Sequence, residues 1–381
     1  MKFATVGPSG VRLKRAAIVI VWALFLSFIS SLTHAQVKPN WKSEWGAILG
    51  KAKQEGKVVV WGPPGQQVRQ AMVDGFKKAF PEISIEYQGG TNDLRVKLIS
   101  ERRAGIYAVD VYMTGADGMT TQIKPAKAVE PLRPALVLPE VTDPKFWREQ
   151  RHDFVDTEQQ YILAFVNQTS PVAGYDFKQV KPGEIDNLYD LLDAKWKGKI
   201  ILGDPLIPGA ASTWFRWAWH VLGPEKATDF FRRLRSQTGT ISRDLRRQVE
   251  WVAQGRYAIL ISPSLIVGQQ LLNEGVQFGM LWDFKDYGSW ITSTTGNVAL
   301  LNRAPNPNAG TVFINWILGR EGQTLLSKAT NQVSRRTDVP TDHLPEGVIP
   351  KAGVKYWKSY VEEVQIRSPE EEAVMKEVFG R

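Results

Sequence analysis

The sequence predicts an α/β protein built from parallel β-α-β units. Three observations carry the prediction. A short apolar run, Lys57-Val-Val-Val-Trp61, precedes an amphipathic helical pattern over 66–80. That alternation of periods repeats through 83–87, 91–103 and 109–113, which is the signature of strands joined by crossover helices. It then resumes beyond a Pro-rich stretch at 125–144, as expected for a second set of units. The 381 residues suffice for two domains. Strands alternating with helices imply a sheet covered on its faces.

The elements follow in order. Trp41, Trp45, Ile48 and Leu49 share a face and predict a helix that Gly56 ends. Gly62-Pro-Pro-Gly65 turns the chain into the 66–80 helix, with Val68, Met72, Val73 and Phe76 inward and Pro81 as its stop. Residues 161–166 start the second set, and 188–196 read as a short helix. A helix is expected over 224–234, and another from Thr240 through Ala253 with Ser242 as its cap. Strands are expected at 257–261, 277–283 and 297–301, with a helix between Ser264 and Glu274. Residues 308–329 read as mostly helical, and the charged tail past Ser368 as a surface helix.

One stretch organises the rest. Ile200 to Leu202 reads as a buried strand, and Gly203, Asp204, Pro205, Pro208 and Gly209 forbid regular structure after it. Trp214, Phe215, Trp217, Ala218, Val221 and Leu222 then recur at helical spacing, with Ser212 and Thr213 at the expected cap and Gly223-Pro224 as the stop. The first N–H groups of a helix lack internal partners and carry partial positive charge. An anionic or oxygen-rich ligand is therefore expected near the Gly209 and Ala210 N–H groups and the Ser212 and Thr213 hydroxyls. Simple capping by Ser212 or Thr213 is the competing explanation.

Composition narrows the class. A hydrophobic content of 43% with 23% charged residues describes a globular chain. Arg12, Lys14 and Arg15 precede an uncharged apolar run from Ala16 to Ile29, and Thr33-His34-Ala35 offers a cleavage site. That order predicts a cleaved signal peptide over residues 1–35 and a periplasmic product. The sequence contains no Cys, which excludes disulfides and a lipidated cysteine. The formal net charge is +9, and Lys2, Arg12, Lys14 and Arg15 of the leader account for four of it, leaving +5. That mild excess favours an anionic partner. Without a dense basic stripe, nucleic acid is not expected.

Four runs resemble one known family. They are Lys195-Trp-Lys-Gly-Lys-Ile200 with Gly203-Asp204-Pro205, Val252–Ile261, Arg303–Leu318, and Glu321-Gly-Gln323. Together they look like periplasmic solute-binding proteins of ABC importers, in the group of ferric-iron, phosphonate and sugar-phosphate binders. The resemblance implies a two-lobed class II fold with the ligand cleft between lobes. Lobe one would hold 36–157 and 287–381, and lobe two 158–286. The crossings would lie near 154–161 and 283–290. A membrane permease would be the partner, the chain a monomer, and no cofactor or enzymatic activity would be required. Gly209, Ala210, Ser212 and Thr213 match the position where iron-binding relatives hold their anion.

Affinity asks for converging loops. A micromolar ligand needs about 8 kcal/mol, whereas one helix N-terminus contributes about 0.3–1 kcal/mol. Candidates beyond the carboxyl ends of strands are Gly65, Gln66, Thr114, Ser242, Arg243, Ser262 and Ser264. Arg243 could fork onto a carboxylate or phosphate, or be a surface arginine beside Arg246 and Arg247. Trp282 and Trp290, among 14 tryptophans, are the better candidates for stacking a sugar. Iron is a second reading, but paired tyrosines of iron relatives are replaced here by Ser262-Pro-Ser-Leu265, which lacks the hard phenolate donors. Asp283, Asp286 and Tyr287 could attract a metal or polyamine. A hydrolase lacks its usual motifs: His152, His220 and His343 are scattered, and no His-Glu-x-x-His or Gly-x-Ser-x-Gly occurs. A scaffold with no small ligand is the remaining class. The expected ligand is a phosphonate, phosphate ester or organic acid. Replacing Ser212 and Thr213 together by Ala is expected to weaken its binding by roughly tenfold or more, about 1.4 kcal/mol, with the fold intact. Unchanged affinity in a calorimetric titration would remove this loop from the site.

Overall fold

Glycines and prolines cut the chain into short strands and helices, and hydrophobic periodicity decides which face of each is covered. The computed structural model describes residues 1–3, 40–90, 92–207, 209–351, 354 and 356–380. The expected leader lies outside the described residues. Val37–Arg381 forms one compact unit. In chain order the elements are α1 (Trp41–Glu55), β1 (Lys57–Gly62), α2 (Gln66–Ala79), β2 (Ser84–Gly89), α3 (Asn92–Arg103), β3 (Val111–Thr114), β4 (Asp153–Phe154), β5 (Leu163–Ala164), β6 (Gln168–Thr169) and β7 (Ala173–Tyr175). They continue with β8 (Ile200–Gly203), α4 (Ala210–Leu222), α5 (Pro224–Gln237), β9 (Thr238–Ser242), α6 (Leu245–Ala253), β10 (Ile259–Ile261), α7 (Leu265–Asn273), β11 (Gly279–Leu281), β12 (Trp290–Thr292), β13 (Asn297–Leu300), α8 (Pro307–Leu318), α9 (Arg320–Thr330), β14 (Trp357–Lys358) and α10 (Pro369–Phe379).

The strands form a two-lobed α/β fold with a small sheet between the lobes. The first sheet has the order β2-β1-β3-β13-β5-β4, with β1 parallel to β2 and β3, and β13 antiparallel to β3. Both faces of β1 are covered. Val58 and Val60 pack with Phe76, Phe313 and Trp316, whereas Trp61 packs with Leu94, Leu98 and Tyr112. That explains the unbroken Val-Val-Val run. The second sheet has the order β11-β7-β10-β8-β9, with β8 parallel to β9 and β10. Trp214, Phe215, Trp217, Phe230 and Phe231 from α4 and α5 fill one of its faces. Ile201, Leu260, Val249 and Leu271 fill the other. A three-stranded sheet, β14-β12-β6, lies where the chain passes from one large sheet to the other.

Several expectations change. Residues 238–242 form β9, not the start of a helix, because they pair in parallel with β8. The following helix is capped instead by Asp244, whose side chain accepts from the Arg247 N–H. Gly319 divides 308–329 into α8 and α9. Residues 158–164, assigned to lobe two from sequence, carry β5 of the first sheet, so the chain leaves that sheet only at β6. The tail assigned to lobe one instead places Met375 and Phe379 in the aromatic core of the second sheet, with the Phe379 and Phe215 rings 4.8 Å apart.

Two buried titratable groups respond to acid in opposite ways. Burial pushes His152 down to about 4, against the raising effect of its 2.8 Å hydrogen bond to the Val141 carbonyl. Burial pushes Asp110 up to about 6, although Val59 N–H and Asn306 donate to its carboxylate. Below pH 6.5 the unfolded chain takes up a proton at His152 that the folded chain refuses. Stability from this group therefore falls as pH drops from 6.5 towards 4, by up to about 1.4 kcal/mol per pH unit. Asp110 has the reverse sign over the overlapping range from about 4 to 6. Comparing the native chain with His152→Gln cancels Asp110. Urea titrations at several pH values are expected to show a smaller acid loss in the variant, and parallel profiles would refute the assignment.

Candidate functional site

The carboxyl ends of strands from both large sheets face a common cleft, as open α/β sheets arrange their ligand sites. One wall is Gly115, Ala116 and Asp117, directly after β3. The opposite wall is Gly209, Thr213 and Arg216 at the start of α4. Thr292, Ser293 and Thr294 after β12 close the rear, with Ser359, Tyr360 and Gln365 of the C-terminal segment beside them. The enclosed volume is about 170 Å³, comparable with the roughly 150 Å³ cavity that takes up a benzene. An adjoining cavity of about 360 Å³ shares Asp117 and Arg216 and adds Ser212 and Arg367.

Local sequence fixes these walls. Gly209 has φ 154° and ψ −166°, a conformation essentially confined to glycine. Ser262 donates to the Ala210 carbonyl at 3.1 Å, which pins the start of α4 to the end of β10. Asn297 Nδ2 donates to the Thr114 carbonyl at 2.8 Å and fixes the end of β3. Beneath Tyr360 lies a buried node. The Asp153 carboxylate receives the Tyr360 hydroxyl at 2.5 Å, Arg335 at 2.9 Å and Lys358 at 2.9 Å. Burial alone would raise Asp153, but Arg335 and then Lys358 outweigh it and hold the group below the usual carboxylate range. Burial, and then the Asp153 charge, push the Tyr360 phenol well above its ordinary value.

The charges of the cleft are few. Arg216 donates through Nη1 to the Gln365 carbonyl at 2.7 Å, and its buried Nε has no hydrogen-bond partner. Its pKa is lowered, first by burial; Asp117 opposes this and Arg367 adds to it. Arg367 is differently placed. It donates to the Pro205 carbonyl at 2.6 Å and the Ser212 hydroxyl at 3.0 Å, and its Nε lies 3.2 Å from Glu371. The Ser293 and Thr294 hydroxyls are also buried without partners. These groups can hold a small solute bearing an anionic end.

The sequence-derived candidates divide by location. Gly209 and Thr213 line the cleft, Thr114 abuts it, and Ser212 lines the adjoining cavity. Ser212 and Thr213 do not cap α4, which starts at Ala210 after Gly209. Thr213 donates back to the Gly209 carbonyl at 3.1 Å, and Ser212 serves Arg367. Ala210, Ser242, Arg243 and Ser262 line a neighbouring cavity of about 40 Å³ that shares Gly209 with the cleft. Arg243 is forked onto Asp204 at 2.8 and 3.0 Å rather than left free for a ligand. Ser264 is half-buried before α7. Gly65 is exposed at the start of α2, and Gln66 lines a groove on the first sheet. Trp282 lines a pocket with Gly347 and Lys351. Trp290, expected at the cleft, is 1% exposed and packs on Trp217 at 5.4 Å. Asp283 pairs with Lys351 and Asp286 accepts from the Leu188 N–H. No group of three metal-ligating His, Cys, Asp or Glu occurs among the described residues.

Asp117, Arg216, Ser293, Thr294, Tyr360, Gln365 and Arg367 were missed from sequence. Arg216 carried a signal, as the one Arg, Lys, Asp or Glu within an otherwise apolar and aromatic helix. Replacing Arg335 by Met would leave Asp153 buried without its first-ranked cation. Loss of one partner of such a pair costs about 3–5 kcal/mol. Denaturant unfolding is expected to show a loss of that order, and a loss near zero would contradict the role given to the node.

Comparison with known proteins places this geometry in context. Residues 71–362 match the family described as bacterial extracellular solute-binding protein. The chain is 20% identical over 304 residues to an uncharacterized protein of Haemophilus influenzae, covering 80% of this chain and 85% of that one. Its fold is similar to that of FutA (IdiA) of Trichodesmium in complex with iron and citrate, with TM-score 0.63, 17% identity, and 86% and 100% of the two chains covered. It is similar as well to AfuA of Actinobacillus pleuropneumoniae with fructose-6-phosphate bound, with TM-score 0.60, 18% identity, and 84% and 97% covered. Iron-bound HitA of Pseudomonas aeruginosa gives TM-score 0.60, 16% identity, and 84% and 99%. At these identities the likeness is one of fold. No helix among the described residues is long and apolar enough to cross a membrane.

Proposed function

This chain belongs to the bacterial extracellular solute-binding proteins, and from that premise we propose that it is the periplasmic substrate-binding subunit of an ABC importer for a small organic solute with an anionic group. The carrying observation is Arg216, which lines the cleft with a buried Nε that no protein group satisfies. An unpaired buried donor is costly, and a ligand oxygen relieves that cost. The unpartnered Ser293 and Thr294 hydroxyls offer further hydrogen bonds. In this reading residues 40–164 and 297–351 form lobe one, residues 173–281 with α10 form lobe two, and the three-stranded sheet is the hinge. The solute binds Arg216 and α4, the hinge closes, and the closed form docks on a membrane permease. Such closure is an established class of transition.

The competing ligands are less well served. Ferric iron needs hard anionic donors. Tyr360 is the tyrosine at the cleft, and its phenol is held neutral while it donates to Asp153. A polyamine needs several carboxylates, whereas Asp117 alone faces the smaller cavity. A sugar would stack on indoles, but no tryptophan lines it. A hydrolase would need a nucleophile with a nearby base, and no His lines it. Arg216→Ala removes a charged hydrogen-bond donor worth about 1.5–3 kcal/mol, or roughly ten- to hundredfold in affinity. Calorimetric titration with organic phosphates and carboxylates is expected to show that loss. Binding unchanged in Arg216→Ala would refute the site.

A further inference from the structure

The cleft is lined by one cation and one anion that act on each other without forming an ion pair. Arg216 comes from α4, beside the second sheet, and Asp117 from the turn after β3, in the first. No ion pair joins them among the described residues. Among the described residues none donates a hydrogen bond to the Asp117 carboxylate; Thr120 and Thr121 donate to its main-chain carbonyl instead. Arg216 spends one donor on the Gln365 carbonyl. Of the neighbouring groups, Arg367 also keeps a buried Nε without a hydrogen-bond partner, but it stands in ion pairs. Arg367 is bound to Glu371 at 3.2 Å and lies within 3.8 Å of Glu372, and Tyr360 donates to Asp153. No Lys lines either cavity.

From this juxtaposition we propose that the solute is a small zwitterion, with its anionic group on Arg216 and an ammonium group on Asp117. This rests on the anion reading above and sharpens it. A plain anion would satisfy Arg216 but face the Asp117 carboxylate at close range in a partly dry site, where like charges repel strongly. A plain cation would satisfy Asp117 and face Arg216. A zwitterion satisfies both walls and adds no net charge to the cleft. Asp117 and Arg216 line both the cavity of about 170 Å³ and the adjoining one of about 360 Å³, room for a small organic solute. Because the two charges lie on different lobes, such a solute bridges them, and closure then depends on both of its ends.

Two matched pairs of probes test this on the chain from Gln36 onward. They are O-phosphoethanolamine against ethyl phosphate, and β-alanine against propionate. Each pair differs by the ammonium group. In at least one pair the ammonium member is expected to bind about tenfold tighter or better, a difference of about 1.4 kcal/mol. Asp117→Asn, isosteric and at a carboxylate to which no described residue donates, should abolish that preference while the affinity for the ammonium-free member is kept or raised. Its thermal midpoint reports whether folding is intact, and Asp117→Glu should restore the preference in part. Equal or tighter binding of the ammonium-free members would overturn the zwitterion and leave the anion reading standing. A preference that survives Asp117→Asn would overturn the role of Asp117. Gains of equal size for both members in Asp117→Asn would make Asp117 a latch to Arg216 instead. No binding in either pair would overturn both readings.

Discussion

A single buried carboxylate, Asp153, organises the region around the cleft. It sits on β4, at the edge of the first sheet, and gathers Arg335, Lys358 and Tyr360. Arg335 is fully buried, so both partners are held where neither could stay charged alone. The node ties the segment after α9 and the C-terminal segment to the first lobe. It places Tyr360 against the cleft and carries the chain on to Gln365. The Gln365 carbonyl then holds Arg216 of the second lobe. A carboxylate remote in sequence from the site thus sets where its principal cation lies.

Beyond that node the C-terminal segment spans both lobes. Glu362 takes hydrogen bonds from Thr157 and an ion pair from Lys124 on the first-lobe side. A few residues later Arg367 bonds Pro205 and Ser212, and α10 lays Phe379 on Phe215. The segment also settles the charge of the cleft. By engaging Glu371, Arg367 is removed from competition for a ligand. Arg216 and Asp117 are left facing the same space. In the proposed reading, a solute that bridges them has leverage on closure.

Much of the fold was legible because local and global preferences agree there. Val58 to Trp61 are buried on both faces, so the run of Val was a faithful signal. Gly56 and Gly223 bound helices at positive φ, where the backbone favours glycine. The misreadings have specific causes. Thr240-Ile-Ser-Arg-Asp resembles a capped helix start, but pairing with β8 overrides it. The apolar run at 161–166 was read as opening the second set although it carries β5 of the first sheet, so the crossing was placed too early. Within the site, the α4 loop was found because strand, glycine and helix are contiguous. Gln365 and Arg367 were not, because their contacts join distant parts of the chain: Arg216 and Gln365 are 149 residues apart, and Ser212 and Arg367 are 155. Arg243 was overvalued because nothing local reveals Asp204 as its partner, although Asp204 stands in the very turn that drew attention.

The central claim is that Arg216 holds a small organic solute between two lobes. Native mass spectrometry of the chain from Gln36 onward, purified without denaturation, tests it most directly. The account predicts a retained or exchangeable organic species of low mass that Arg216→Ala loses. A bound metal ion without an organic partner, or an organic species held equally well by Arg216→Ala, would contradict it.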